Sequence, residues 1–394
     1  MASLSGARFR HDFKMRILHI IYDDIDNPWL GGGGATRTLE IYSRIAQRGH
    51  TVQVLSGNYP GAPRNHAREN VSYRHIGSRQ SYVASRLTFI MLSPFLIKRG
   101  GYDIVIEDVS PFSPVGAPIW VKRVPTVASV QNLSGKHALR KYGVRGVLPR
   151  LVERPLLSLF RNFIAVSPGI AEELRKLRGA QADIRVVPNS AGEFSFVSNK
   201  YDIQEDKKYI LFLGRIDVYQ KGLDVLLDAF DRVATQLPDI KLVIAGGGTE
   251  QQLAKLASLL EKSGHKDRIE ITGQVNKQEA ARLMKWALML AMPSRYEAWP
   301  LTAIEAGSAG TPVVGFDIVG VRDAGPPYPA AHGFLVPGGE GGALADKMIE
   351  VANNPGLRSA AAEKGRAWAA RFTWDALAGE QLAFYKELTV KKRA

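Results

Sequence analysis

Short apolar runs alternate with longer amphipathic segments twice over along this chain, and that alternation decides the fold class. Met15–Tyr22 is a compact apolar run. The glycine-rich loop Gly31–Gly34 follows, then apolar residues at helical spacing from about Ala35 to Arg48, closed by Gly49. Further short runs predict strands at Thr51–Ser56, Val71–His75, Asp103–Glu107, Thr126–Val130, Asn162–Val166 and Ile184–Val187. A βαβαβ pattern implies a parallel sheet with helices on both faces. Such sheets bind ligands beyond the carboxyl ends of their strands.

Pro188–Lys208 is polar and lacks periodicity, as a linker does. The alternation then restarts. Strands are expected at Tyr209–Leu213, Lys241–Ala245, Ile269–Thr272, Leu288–Met292 and Thr311–Phe316, with helices at Leu223–Gln236, Thr249–Lys262 and Lys277–Lys285 between them. Gly356–Arg371 is Ala-rich and helical, and Thr373–Leu388 is an amphipathic helix carrying Trp374, Leu377, Leu382 and Tyr385. The expected division is a first domain over 1–190, a linker over 191–208, a second domain over 209–372 and a terminal helix over 373–394. Two doubly wound α/β domains in tandem leave a cleft between them.

The chain's 394 residues suffice for two such domains, and 45% apolar with 23% charged residues is a globular composition. The absence of cysteine excludes disulfides and thiolate metal sites. Met1–Lys14 is polar and basic, unlike a secretory signal, and the longest apolar stretch, Leu87–Ile97, is too short to span a bilayer. A cytoplasmic protein is expected. Net charge is +14, and its placement is uneven. Residues 1–198 carry 27 basic and 14 acidic side chains, whereas 199–394 carry 25 and 24. Such asymmetry suits an anionic partner, nucleic acid or an acidic membrane. The eight histidines are scattered, so no metal site is expected.

Candidate chemistry concentrates in YEAWPLTAIEAGSAGTPVVG. Tyr296–Trp299 reads as loop, Pro300 suits the first turn of a helix, and Gly310 ends that helix. Glu297 then lies at the helix mouth and Glu305 further in, in an E-x7-E arrangement, with the amides of Leu301 and Thr302 beside them. A helix N-terminus seats a phosphate, and flanking carboxylates accept hydroxyls. Two surface glutamates near a helix start are the plainer alternative. In LFLGRIDVYQKG, Gly214, Arg215 and Lys221 follow a strand, where two cations can converge on a diphosphate. Gly33 and Gly34, LVIAGGG and Gly273-Gln274-Val275 also place glycines at strand ends, where backbone can approach a ligand.

In this order and spacing, GGGGATR, RGHTVQVLSG, IAVSPGI, RVVPNS, GR…KG, LVIAGGG, ITGQV, E-x7-E, GFLVPGG and the terminal FTW…Y helix resemble the retaining glycosyltransferases of family GT4, over nearly the whole chain. The resemblance implies the GT-B fold: two Rossmann-like domains, with the terminal helix crossing back to pack on the first. It implies transfer of a sugar from a UDP- or GDP-sugar with retention, without cofactor or metal. Arg215 and Lys221 would neutralise the diphosphate. Glu305 would hold the ribose, and Glu297 the hydroxyls of the donor sugar. The amides near Leu301 and Thr302 would meet phosphate, with Ala298, Trp299 and Pro300 also among the donor-binding residues; Val275 would meet the base through its backbone, and Gly33 and Gly34 the donor from the first domain.

Three departures accompany it. The family's usual EGFG is Glu297-Ala298-Trp299-Pro300 here, which removes one amide. The Arg-to-Lys spacing is one residue longer than is common. Where many members have a histidine after the strand at Thr126–Val130, this chain has Gln131 and Asn132, with His137 further on. The basic first domain suggests a glycan or lipid-linked acceptor at an anionic membrane face, through Lys136, Arg140, Lys141, Arg145, Arg150, Arg154 and Arg161, and through the apolar segment Arg79–Arg99. Few aromatics interleave with these cations, so nucleic acid is not expected. The rival functions are a GT-B sugar-nucleotide epimerase and a non-catalytic binding protein of the same fold.

Overall fold

The computed structural model describes residues 13–29, 32–133, 143–192, 209–325, 334–339 and 341–393. Among these residues the first sheet has eight strands, in the order β3-β4-β2-β1-β5-β6-β7-β8. They are β1 (Arg16–Ile20), β2 (Thr51–Gly57), β3 (Asn65–Arg68), β4 (Val71–Ile76), β5 (Ile104–Asp108), β6 (Thr126–Val130), β7 (Asn162–Ala165) and β8 (Asp183–Val186). The second has six, in the order β11-β10-β9-β12-β13-β14: β9 (Tyr209–Leu213), β10 (Lys241–Ala245), β11 (Ile269–Gly273), β12 (Met289–Met292), β13 (Val313–Phe316) and β14 (Leu335–Val336). Central strands such as β1 and β12 are buried along nearly their whole length, as helices on both faces require.

β3 departs from the expected all-parallel sheet: it pairs antiparallel with β4 at the edge. Its sequence, Asn-His-Ala-Arg, has no apolar run to mark it, and a short polar strand suits an edge.

Contacts group the chain into two units. One holds the chain up to Ile164, Leu174–Arg185 and everything from Ala378; the other holds Ala165–Glu173 and Val186–Leu377. The terminal helix, Trp374–Arg393, therefore returns to the first unit over most of its length. Buried polar contacts hold it there. The Tyr385 hydroxyl lies 2.9 Å from that of Tyr42, and Arg37 donates to Gln381 Oε1 at 2.8 Å. His19 lies 3.0 Å from the same Tyr42 oxygen; burial, with the nearby Arg37 charge, pushes its pKa down to about 3, so it is neutral.

The helix after the first E-x7-E carboxylate spans Leu301–Ala309 and ends at Gly310 in the left-handed conformation. Pro300 is its N-cap, with ψ 110°, and stands just outside the first turn rather than within it. Its carbonyl accepts from the Ala303 amide.

Candidate active site

Each sheet has one place where successive crossovers leave in opposite directions: between β1 and β5 in the first, between β9 and β12 in the second. Ligands of doubly wound sheets bind at the carboxyl edge of that point. In the second unit the loops that emerge there are Gly214–Gly222 and Pro293–Pro300.

These two loops are locked together. Lys221 Nζ donates to Glu297 Oε1 at 2.5 Å, and Ser294 Oγ donates to the same oxygen at 2.9 Å. The Lys221 and Glu297 side chains are only 18% and 10% exposed. Arg215 is more open, at 56%, and donates to Gln220 Oε1 at 3.1 Å. Arg295 supports both loops. It forks onto Asp224 through two bonds of 2.8 Å and donates to the Tyr219 carbonyl. Glycines make the approach possible. Gly222 has φ 68°, and a Cβ there would lie 2.0 Å from the Pro293 carbonyl oxygen. Gly246 has φ 149°, and its Cβ would lie 1.8 Å from the Gly214 oxygen.

Glu305 projects from the middle of the helix Leu301–Ala309, the fifth of its nine residues. Burial pushes its carboxyl up to about 7, opposed by the Lys277 charge. Leu301, Thr302, Ala298 and Val275 are half-buried around these loops. Trp299 is different: its indole is buried, donates to the Asn189 carbonyl at 2.9 Å and packs edge-on against Phe372, so its side chain is committed to packing. Pro300 is buried and has no amide to offer.

At the corresponding point of the first unit, the helix Gly33–Gln47 starts at Gly33, so Gly33 and Gly34 form its first turn. A Cβ on Gly34 would stand 3.6 Å from both Asp23 Oδ2 and Asp108 Oδ2. Burial lifts Asp23 to about 6, against the pull of Arg86. Burial and the Asp23 charge lift Asp108 to about 7, against Arg37. Gln131 donates to Ser129 Oγ at 3.2 Å, and Asn132 is exposed. His137 lies outside the described residues. Nothing in the sequence pattern marks Ser294, Arg295 or Lys277 as part of this site, and Asp23 and Asp108 are only weakly marked, since each directly follows or ends an apolar strand.

The fold and this arrangement define a class, a GT-B glycosyltransferase that takes its sugar from a nucleotide diphosphate donor. The pattern "Glycosyl transferases group 1" matches residues 193–368, and "Glycosyltransferase Family 4" matches 31–191. The chain is 30% identical to a "D-inositol 3-phosphate glycosyltransferase" of Xylanimonas cellulosilytica, covering 97% of this chain and 98% of the relative. It is 29% identical to a "Phosphatidyl-myo-inositol mannosyltransferase" of Mycobacterium leprae, over 94% and 96%. Among solved structures, a sucrose-phosphate synthase from Thermosynechococcus elongatus superposes with a TM-score of 0.77 at 20% identity, covering 96% of this chain and all of that one (100%). Anabaena HepE in complex with UDP and glucose gives 0.71 at 16% identity, over 95% and 100%. The chain belongs to the group 1 and family 4 glycosyltransferases.

Proposed function

We propose that this enzyme transfers a sugar from a UDP-sugar, with retention and without a metal ion, to a lipid-linked or polysaccharide acceptor at an anionic membrane face. The observation that carries the reading is the Lys221–Glu297 pair at the switch point of the second sheet, with Arg215 beside it. Arg215 and Lys221 take the diphosphate, Glu297 the sugar hydroxyls and Glu305 the ribose. The backbone of Gly214 and of Ala298–Thr302 meets phosphate, Pro300 excepted, and that of Val275 meets the base. Gly33 and Gly34 keep a donor role through the family resemblance, and Gln131 or Asn132 stands near the reacting centre.

As the anomeric carbon–oxygen bond to phosphate breaks, charge grows on the leaving diphosphate, and fixed cations stabilise it most in the transition state. The acceptor oxygen bonds to the same face of that carbon, and its proton passes to the leaving phosphate. UDP is preferred to GDP because UDP and UDP-glucose complexes recur among the structural neighbours. Inositol-bearing acceptors in the names of the sequence relatives support a polyol or glycolipid acceptor.

For the membrane, the supporting feature is the helix Tyr82–Lys98. Its inward face carries Ser85, Phe89, Ser93 and Ile97, whereas Val83, Leu87, Met91 and Phe95 point to solvent, 57–68% exposed. Exposed hydrocarbon followed by Lys98 and Arg99 suits an anionic interface, where the protein would sit peripherally on the cytoplasmic side. Among the described residues no helix is long and apolar enough to cross a membrane. Lys136, Arg140 and Lys141 lie outside the described residues, as do the side chains of Arg145 and Arg150.

Incubation with UDP-sugars and lipid acceptors, with the product anomer read by NMR, tests the chemistry. Retained configuration with activity unchanged in EDTA is expected. Inversion, or loss on chelation restored by magnesium, would refute it. Sedimentation with anionic but not neutral vesicles, lost on Leu87→Asp/Phe95→Asp, tests the surface separately.

A further inference from the structure

In the first unit, the loop that leaves β1 is tied down by a buried polar pair. Asp24 lies in that loop and His75 on β4, and their side chains are 1% and 0% exposed. His75 Nδ1 lies 2.6 Å from the Pro63 carbonyl oxygen, and Nε2 lies 3.2 Å from Asp24 Oδ2. A carbonyl can only accept, so Nδ1 carries a hydrogen. Asp24 Oδ1 accepts twice, from the Asp26 amide at 2.9 Å and from the Tyr59 hydroxyl at 3.2 Å. Burial by itself would raise the Asp24 carboxyl, but the bonds from His75, the Asp26 amide and Tyr59 hold it below the ordinary aspartate value. An ionised Asp24 can only accept at Oδ2, so Nε2 donates as well. Both ring nitrogens then carry hydrogen, and the imidazole is a cation.

The surroundings fit that charge. Tyr59 meets the His75 ring edge-on and His66 stacks on it, each with centroids 5.2 Å away. His66 comes from β3, where it is the register partner of Tyr73. Its Nδ1 is buried with no hydrogen-bond partner among the described residues, and burial, then the His75 charge, holds its pKa below the ordinary value. His66 is therefore the neutral ring of the two, and a π face suits a cation. Further out stand Tyr73, Glu69 and the ion pair of Asp26 with Arg68. Asp24 also closes a turn, because its carbonyl accepts from the Asn27 amide at 3.1 Å. Asp23, its neighbour in the chain, is the acid that faces Gly34.

We propose that His75 and Asp24 are positioning residues that share one buried proton, and that this proton fastens the loop after β1 and so sets Asp23 at the edge of the first sheet. The proton belongs to the pair. Its loss leaves the Nε2 lone pair facing a carboxylate oxygen, the two repel, and the loop comes loose as pH rises. An asparagine in place of Asp24 escapes this. Its amide nitrogen can donate to a neutral Nε2 while its oxygen accepts from the Asp26 amide and Tyr59, so these bonds survive with no proton to lose. The consequence for sugar transfer rests on the function proposed above; the proton count does not.

Nitrogen NMR of the full-length protein with ring-labelled histidine, near neutral pH, tests the proton count, with His75→Gln identifying the signals. Two N–H nitrogens are expected for His75 in the parent, and Nδ1 alone in Asp24→Asn. An unprotonated His75 nitrogen in the parent would overturn the proposal. Amide exchange, corrected for the intrinsic rate, tests the fastening. Protection of the Asp26 amide should fall about tenfold or more as pH is raised above neutrality in the parent and stay level in Asp24→Asn. The Asp23 carboxyl, followed by carbon NMR, should titrate at about 6 in the parent and in Asp24→Asn, and drop toward the ordinary aspartate value in Asp24→Ala. Parallel protection profiles, or an Asp23 titration indifferent to Asp24→Ala, would overturn the positioning role. Failure of UDP to bind the parent would refute the function proposed above and leave these three outcomes standing.

Discussion

Between β1 and β5 the first sheet gathers Asp23 and Asp108, two half-buried acids that desolvation lifts to about 6 and about 7, beside glycines with room around them. Between β9 and β12 the second sheet gathers Lys221 and Arg215, with Glu297 already paired to the lysine, beside glycines with no room at all. The topological point is the same and the electrostatics are opposite. A doubly wound sheet supplies an edge at which loops converge; the chemistry depends on what those loops carry. Cations suit a diphosphate. Acids held near neutrality suit hydroxyls, because they can donate as well as accept a hydrogen bond.

The largest expected effect falls on the cationic side. Lys221→Ala and Arg215→Ala should each slow sugar transfer about a hundredfold or more, on the order of 3 kcal/mol of transition-state stabilisation. Asp108→Asn should leave UDP affinity unchanged. If calorimetry shows nucleotide affinity depending on Asp108 and not on Lys221, the contrast between the two edges is misassigned.

Glycine crowding gives the next effect. Gly246→Ala places a methyl 1.8 Å from the Gly214 oxygen at φ 149°, so it should cost about 3 kcal/mol or more in thermal or denaturant unfolding. Gly33→Ala meets no heavy atom within 4 Å and should be neutral or slightly stabilising, by about 0.5 kcal/mol. Equal effects at the two positions would remove this part of the comparison.

Smallest is a pH effect at Glu305. Its folded pKa of about 7 lies above the ordinary glutamate value, so the folded state binds this proton more tightly than the unfolded chain. The resulting stability is whole below about pH 4.5 and is lost as pH rises through 7. Glu305→Gln removes that dependence. Relative to the parent it should gain about 1–3 kcal/mol at pH 8 over its standing at pH 4, partial exposure reducing the figure. A parallel pair of stability–pH curves would contradict this.

How far the sequence carried depended on the kind of signal. Apolar strands and their glycine exits announce themselves, so β1, β2, β4 and β9–β13 and the helix Leu301–Ala309 were legible within a residue or two. β3 was not, because its four residues are polar and its pairing is set by its neighbour. The two loops of the second site were also legible. Their direct bond through Lys221 and Glu297 was not, because 76 residues separate the partners and nothing local encodes the pairing. Asp23 and Asp108 carry no such signal, because a single acid after a strand is common; it takes the third dimension to bring them to the same glycine.

The outward hydrocarbon of Tyr82–Lys98 has a consequence for oxidative chemistry. With no cysteine in the chain, methionine carries all of its sulfur. Met15, Met284, Met289, Met292 and Met348 are buried, whereas Met91, in the middle of the apolar stripe, is 68% exposed. Peroxide will therefore reach Met91 well before those five, and its sulfoxide places a polar, chiral group at the centre of the face proposed to meet lipid. Damage, or a reductase repairing it, would act first on where the enzyme works and only later on how it works.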